Sequence, residues 1–305
     1  MVPFPSTLLM APQTLFGRGH LTRLPGVAAA FGKRGMIVYG ASFRRRGDRD
    51  RLRDAAGHAA DWTEWEYPGG EPTLRQVDQL RAAAHTARAD WIAAIGGGSV
   101  LDAAKAAAGL FRETAPVQAF HEGQAVRTSG LPLIAVPTTA GTGAEATPNA
   151  VLTDPDTRVK KSIRDNRFMA RAVILDPDLL AGCPPAVIAA SGMDALTQAI
   201  ESWCSLGRTA WSDAIALAAI RLIAPALPAV FHHSRAPDAD ALMAGSHMAG
   251  IALAAARLGV VHGLAHPLGA LYGVPHGQVC ALCLPPALEL NRTAIGPRFQ
   301  ELEEA

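Results

Sequence analysis

The stretch DWIAAIGGGSVLDAAKAA, Asp90 to Ala107, constrains the fold more than any other part of this 305-residue chain. A short apolar run of strand character ends in three consecutive glycines, and an alanine-rich helical run begins at once. Such a turn is the joint of a parallel α/β sheet, whose strands are buried on both faces and therefore lack polar alternation. Glycines let a backbone approach a bulky anion, and the first amides of a helix have no intrahelical acceptor. Gly97, Gly98 and Ser99 thus form a candidate phosphate cradle. The run is not G-x-G-x-x-G, because Ser99, Val100 and Leu101 follow Gly98, and a glycine turn that binds nothing shares the pattern.

Three further runs repeat the strand design: RGMIVYGAS from Arg34, LPLIAVPTT from Leu131 and RAVILDPDLL from Arg171. Helical stretches such as LRQVDQLRAAAHTARA, Leu74 to Ala89, fall between them. Residues 1–180 are therefore expected to form an α/β dinucleotide-binding domain with a mainly parallel sheet. After Leu180 the sequence turns to long alanine-rich helical segments, so residues 181–305 are expected to be all-α, with HHSRAPDAD, His232 to Asp240, as a loop. No internal repeat is evident.

Composition narrows the partners. Hydrophobic residues make up 49% of the chain, enough for a sizeable core, and 28 Lys and Arg nearly cancel 27 Asp and Glu. That balance argues against nucleic acid and leaves small-molecule chemistry. The cysteines, Cys183, Cys204, Cys280 and Cys283, are too few and scattered for a disulfide framework. Cys280 and Cys283 form a C-x-x-C without a second pair in an apolar segment, which reads as two buried thiols. The N-terminus is broken by Pro3, Pro5 and Pro12 and lacks a basic signal-peptide region, and Arg, Asp and Pro cut the alanine-rich stretches. A soluble cytoplasmic protein without a membrane partner is expected.

Two more constellations could carry chemistry. PTTAGTGAEAT, Pro137 to Thr147, places Thr138, Thr139 and Thr142 among glycines after a strand, where hydroxyls can bond a ribose, a diphosphate or a nicotinamide amide. Two such loops on one sheet favour a dinucleotide. Further on, His262, His266 and His276 cluster in VHGLAHPLGALYGVPHG, and GMDALTQAIESW carries Asp194 and Gln198 one helical turn apart. Three histidines with an aspartate point to a metal or to a proton relay.

In this order, these stretches resemble the iron-containing (group III) alcohol dehydrogenase family. The resemblance runs from LFGRGHLTRLPGVAAAFG through GGGSVLDAAK, PTTAGTGAEAT and KKSI to DPDLLAGCPPAVIAASGMDALTQAIE and GVVHGLAHPLGALYGVPHGQVCA. It implies a dinucleotide-binding domain followed by a helical metal-binding domain, and hydride transfer between NAD(P) and a small alcohol or aldehyde. A divalent ion, Fe or Zn, would lower the pKa of the alcohol. By the same resemblance Asp194, His262 and His276 are metal ligands, with Gln198 at the position of a further one, and His266 is a proton-relay candidate. Gly97, Gly98 and Ser99 would hold the diphosphate, Asp102 would lie near the cofactor, Thr138, Thr139 and Thr142 would line its adenine and ribose side, and Lys161 would contact it. A homodimer or larger homo-oligomer is the expected assembly.

Three departures stand out. The family usually has histidine where Gln198 stands, so a weakened fourth arm is expected there. The strand RGMIVYG ends at Gly40, Ala41 and Ser42 with no acidic residue to pair with ribose hydroxyls; Ser42 with Arg44, Arg45 and Arg46 suits a 2′-phosphate, so NADP is favoured over NAD. The chain stops at RFQELEEA, so the helical domain is expected to be incomplete relative to the family, with activity of the short chain in question. Alternatives are a metal-free enzyme like maleylacetate reductase, a lyase like dehydroquinate synthase, or an inactive nucleotide-binding relative.

Overall fold

The computed structural model describes residues 2–57, 61–233 and 236–305, and of His233, Ala236, His266 and Ala270 the backbone alone. It divides into two compact units. One comprises residues 10–138 and 144–179; the other comprises the N-terminal segment through Leu9, residues 139–143 and residues 180–305.

The first unit is built on β1 (Thr14–Phe16), β2 (Arg34–Tyr39), β3 (Asp61–Glu66), β4 (Trp91–Gly96), β5 (Leu133–Pro137), β6 (Asn149–Asp154), β7 (Val159–Arg164) and β8 (Ala172–Leu175). Six of these make one sheet in the order β1-β8-β5-β4-β2-β3, with every neighbouring pair parallel. Its helices are α1 (Leu24–Ala28), α2 (Ala41–Arg45), α3 (Asp48–Ala56), α4 (Leu74–Thr86), α5 (Gly98–Gly109) and α6 (Val117–Glu122). Every residue of β4 and β5 is buried, as central parallel strands require. Thr73 and Gln76 form a capping box that starts α4 (Gln76 N to Thr73 Oγ1 3.2 Å, Thr73 N to Gln76 Oε1 2.9 Å). Beyond β8, Asp176 accepts from the amides of Gly19 (3.0 Å) and Leu21 (2.9 Å), tying the end of β8 to the turn after β1.

Not all of this sheet follows from apolar runs. β3 reads DWTEWE and sits at the sheet edge, while β6 and β7 pair antiparallel as a separate hairpin. The hairpin turns at Pro155 to Arg158, where Arg158 has φ 58°.

The second unit is helical: α7 (Pro185–Cys204), α8 (Ala210–His233), α9 (Ala236–Ala256), α10 (Val260–Tyr272), α11 (His276–Ile295) and α12 (Phe299–Glu303). The segment expected to be a loop from His232 to Asp240 is largely helical, since α8 runs to His233 and α9 starts at Ala236. Pro237 is tolerated because the first-turn amide it lacks has no intrahelical partner, and Asp238 opposes the helix dipole there. By length and composition α8 and α9 could each cross a membrane. Here they pack against each other and against α7, around Trp203, Ala216 and Ala252. The Arg298 guanidinium covers the Trp203 ring at 4.1 Å. The N-terminal segment docks on the start of α8, where Ala210 N and Trp211 N donate to the carbonyls of Val2 (2.9 Å) and Pro3 (3.2 Å).

Candidate functional site

Three helices of the second unit bring polar side chains together in an apolar interior. Asp194 comes from the middle of α7, His262 from the first turn of α10, and His276 and Cys280 from the first two turns of α11. One donor atom from each lies within 4.8 Å of all the others. His262 Nε2 is 3.1 Å and His276 Nε2 3.6 Å from Asp194 Oδ1, and Cys280 Sγ is 3.8 Å from the same oxygen. Close helix approach makes this possible. A Cβ on Gly277 would stand 1.9 Å from the Ala190 carbonyl oxygen, so only glycine lets α11 lie this near α7.

Behind His262 stands Glu201, two turns after Asp194 on α7. Its carboxylate accepts from His262 Nδ1 (2.6 Å), Val261 N (2.6 Å) and His262 N (3.3 Å). It therefore satisfies free amides at the start of α10 and orients the imidazole so that Nε2 faces the cluster, where a cation would take the place of its proton. Burial pulls His262 down, but hydrogen bonds to Asp194, Cys280 and Glu201 push it up to about 12. Burial pushes the Asp194 carboxyl up, yet the His262 hydrogen bond and the His276 and His262 charges hold it below its usual value. Burial also pushes the Cys280 thiol up, against the lowering effect of His262. Between two buried carboxylates the site demands a positive charge, and a divalent cation in place of a proton meets that demand with nitrogen, oxygen and sulfur donors ready. The donor set fits a metal.

Gln198 lies one helical turn from Asp194 on α7, and its Oε1 is buried without a hydrogen-bond partner among the described residues, on the side of Gly143. His266 lies on α10, and its side chain is outside the described residues.

The residues expected to bind a nucleotide are placed as follows. Gly97 caps α5 in an extended conformation with no side-chain bond to the helix start. Gly97, Gly98 and Ser99 are half-buried there, and Gly96 is required because a Cβ would overlap Val100 at 2.5 Å. Thr138 is buried in the first unit, its amide donating to the Gly96 carbonyl (3.0 Å); Thr139 is half-buried and Thr142 exposed in the segment that belongs to the second. Asp102 is engaged by Lys105 Nζ (3.4 Å) and the amide of Val151 (3.1 Å), and Lys161 is exposed on β7. Gly40 and Ser42 open α2. Beside them Arg46 is held by Asp48 (2.6 Å) and the Leu179 carbonyl and Arg44 by Glu66 (3.4 Å), while Arg45 is exposed and makes no ion pair among the described residues.

Two residues of the site, one in the cluster and one behind it, escape a reading of the sequence. Cys280 is buried as expected, but among Asp194, His262 and His276 rather than in plain packing. The signal was its position four residues after His276, on the same face of α11. Glu201 likewise follows Asp194 at i+7, and its carboxylate in an apolar helix was the clue.

A parallel-sheet unit with a glycine-lined helix start and a helical unit with a buried Asp/His/His/Cys cluster together define a dinucleotide-linked, metal-dependent oxidoreductase. The profile of iron-containing alcohol dehydrogenases matches residues 11–177, and the C-terminal profile of the Fe-containing alcohol dehydrogenase family matches residues 188–305. The chain belongs to the iron-containing alcohol dehydrogenase family. It is 39% identical over 306 residues to the probable alcohol dehydrogenase EutG of Salmonella typhimurium, covering 98% of this chain and 76% of that protein. Lactaldehyde reductase of Escherichia coli K12 is 37% identical over 254 residues, covering 82% of this chain and 65% of that one. The crystal structure of sulfoacetaldehyde reductase from Bifidobacterium kashiwanohense in complex with NAD+ superposes with a TM-score of 0.89 at 31% identity, covering 95% and 77% of the two chains. The chain is thus an enzyme of the alcohol dehydrogenase and aldehyde reductase type.

Proposed function

We propose that this protein interconverts a small alcohol and its aldehyde, with a nicotinamide dinucleotide bound by the first unit and a divalent cation held by Asp194, His262 and His276. The observation that carries the reading is the buried cluster on α7, α10 and α11, whose donors converge within 4.8 Å of one another. Held by these residues, a cation would supply Lewis acidity toward an alcohol or carbonyl oxygen, and a bound nicotinamide would supply the hydride acceptor or donor. The chain's own residues do the rest. Glu201 holds the His262 ring, and the free amides at the start of α5 meet a diphosphate. His266 is the proton carrier in this proposal, on the strength of its place in the sequence.

The cofactor is NAD rather than NADP in this reading. No carboxylate at Ala41 or Ser42 would repel a 2′-phosphate and Arg45 makes no ion pair among the described residues, but Arg46 and Arg44 are held by Asp48 and Glu66. The NAD+ bound by the Bifidobacterium structure supports the same choice. Self-association stays part of the proposal, supported by the exposed Leu282 and Leu290 on α11.

The test is nicotinamide absorbance during incubation with a panel of small alcohols and aldehydes, using both cofactors. Alcohol-dependent reduction should disappear on chelation and return with a divalent metal. Full turnover by metal-free protein would remove the Lewis-acid role, and consumption of a substrate with no net nucleotide reduction would favour a lyase.

A further inference from the structure

We infer that Cys280 supplies the fourth protein ligand of the metal site as a thiolate, taking over from position 198, and that the resident ion is therefore zinc rather than iron. The inference rests on the reading that Asp194, His262 and His276 hold a divalent cation.

Geometry carries it. With bonds of about 2.1 Å to nitrogen or oxygen and about 2.3 Å to sulfur, a tetrahedral ion separates its N and O ligands by about 3.4 Å and its sulfur from each by about 3.6 Å. Cys280 Sγ lies 3.7 Å from His276 Nε2, 3.8 Å from Asp194 Oδ1 and 4.0 Å from His262 Nε2. The N and O atoms stand 3.1 Å (His262 to Asp194) and 3.6 Å (His276 to Asp194) apart. Five of the six donor separations thus fall close to those of one coordination sphere, the sixth, between the two histidines, is within 4.8 Å, and the thiol has no exposed surface.

Gln198 fits the role less well. Its carbonyl oxygen lies on the side of Gly143, and an amide oxygen is a weaker metal donor than a thiolate. A chain lacking an imidazole on α7 has a sulfur on α11 instead, one helical turn from His276, so that two ligands leave the same helix face. Metal binding breaks the Sγ–H bond, the proton passes to solvent, and the sulfur electron pair goes to the ion. A thiolate is a soft donor, which favours zinc(II) over the harder iron(II). Zinc also accepts a fifth ligand, so four protein donors leave room for a substrate oxygen.

Cobalt(II) loading of the full chain gives a readout independent of turnover. The wild-type protein and Cys283→Ser should show the near-ultraviolet sulfur-to-cobalt charge-transfer band together with visible d–d bands. Cys280→Ser should lose the first and keep the second. Zinc affinity, measured against a chromophoric chelator, should fall in Cys280→Ser by more than the 10–100-fold typical of an outer-shell residue, and Gln198→Ala should fall less. The zinc-to-iron(II) occupancy after anaerobic loading with equal metals should drop in Cys280→Ser alone. X-ray absorption on the zinc-loaded wild-type protein should show one sulfur scatterer at about 2.3 Å, a measurement that does not depend on any variant folding. Cobalt bound with d–d bands but no sulfur band, or zinc without a sulfur neighbour, overturns the inference and leaves the Asp/His/His site standing. Failure to bind either metal removes that site as well.

Discussion

Single side chains decide whether the cluster can hold an ion. Glu201 never reaches it, yet one carboxylate satisfies two amides at the start of α10 and the Nδ1 of His262. Glu201→Gln separates these duties, because an amide oxygen can still accept from Val261 N while the charge that raises imidazole basicity is gone. Metal affinity is expected to fall by about 10–100-fold, the usual effect of an outer-shell partner, with the helical content and melting temperature close to wild type. Competition with a chromophoric chelator, read beside circular dichroism, checks this. Unchanged affinity would mean that Glu201 only caps α10. Sequence reading missed this residue because a carboxylate in an alanine-rich helix has two ordinary fates, solvent or a partner, and the partner here lies 61 residues away on another helix.

At the scale of elements, what could be read depended on burial. β2, β4, β5 and β8 are apolar runs because central parallel strands bury both faces, and their pattern shows without a structure. β3 is an edge strand with charges at Asp61, Glu64 and Glu66, and Glu64 is tied to Arg49 (2.6 Å) and Arg53 of α3. Its strand character comes from pairing with β2 rather than from its own composition. The β6–β7 hairpin had a turn signal in Asp154 to Thr157, but three consecutive polar positions, Lys160 to Ser162, hid the alternation beside it. Helices α7, α10 and α11 were visible as helices, whereas the distance between them was not. It is set by Gly277 on α11 against the Ala190 carbonyl of α7. Gly277→Ala is expected to cost roughly 1–3 kcal/mol, as overpacking typically does, and to weaken metal binding by moving His276 and Cys280 together. Gly263→Ala on α10, where a Cβ meets nothing within 4 Å, is the matched control and should be neutral or slightly stabilising. Equal effects from the two would show that the α7–α11 contact does not set the site.

At the scale of the molecule, most residues proposed to hold the nucleotide lie in one compact unit and those proposed to hold the cation in the other, each unit with its own core. One core is the sheet with Ile37, Ile95, Ile134 and Ile174, and the other centres on Trp203. A ligand stabilises the structure it binds by RT ln(1 + [L]/Kd), about 2.7 kcal/mol at a hundredfold excess over Kd. Only openings that disrupt its site report that gain. Metal should therefore slow amide exchange in α7, α10 and α11, whose side chains it gathers, and leave β2, β4 and β5 unchanged. Nucleotide should do the reverse, protecting the start of α5 and the strands that lead into it. Hydrogen exchange followed by mass spectrometry, with chelator and cofactor added separately, resolves the two patterns. Chelation that deprotects the sheet as strongly as the helices would mean that the units unfold as one and that the metal stabilises the whole chain. Protection confined to α7, α10 and α11 would locate the ion by its energetic footprint, without reference to turnover.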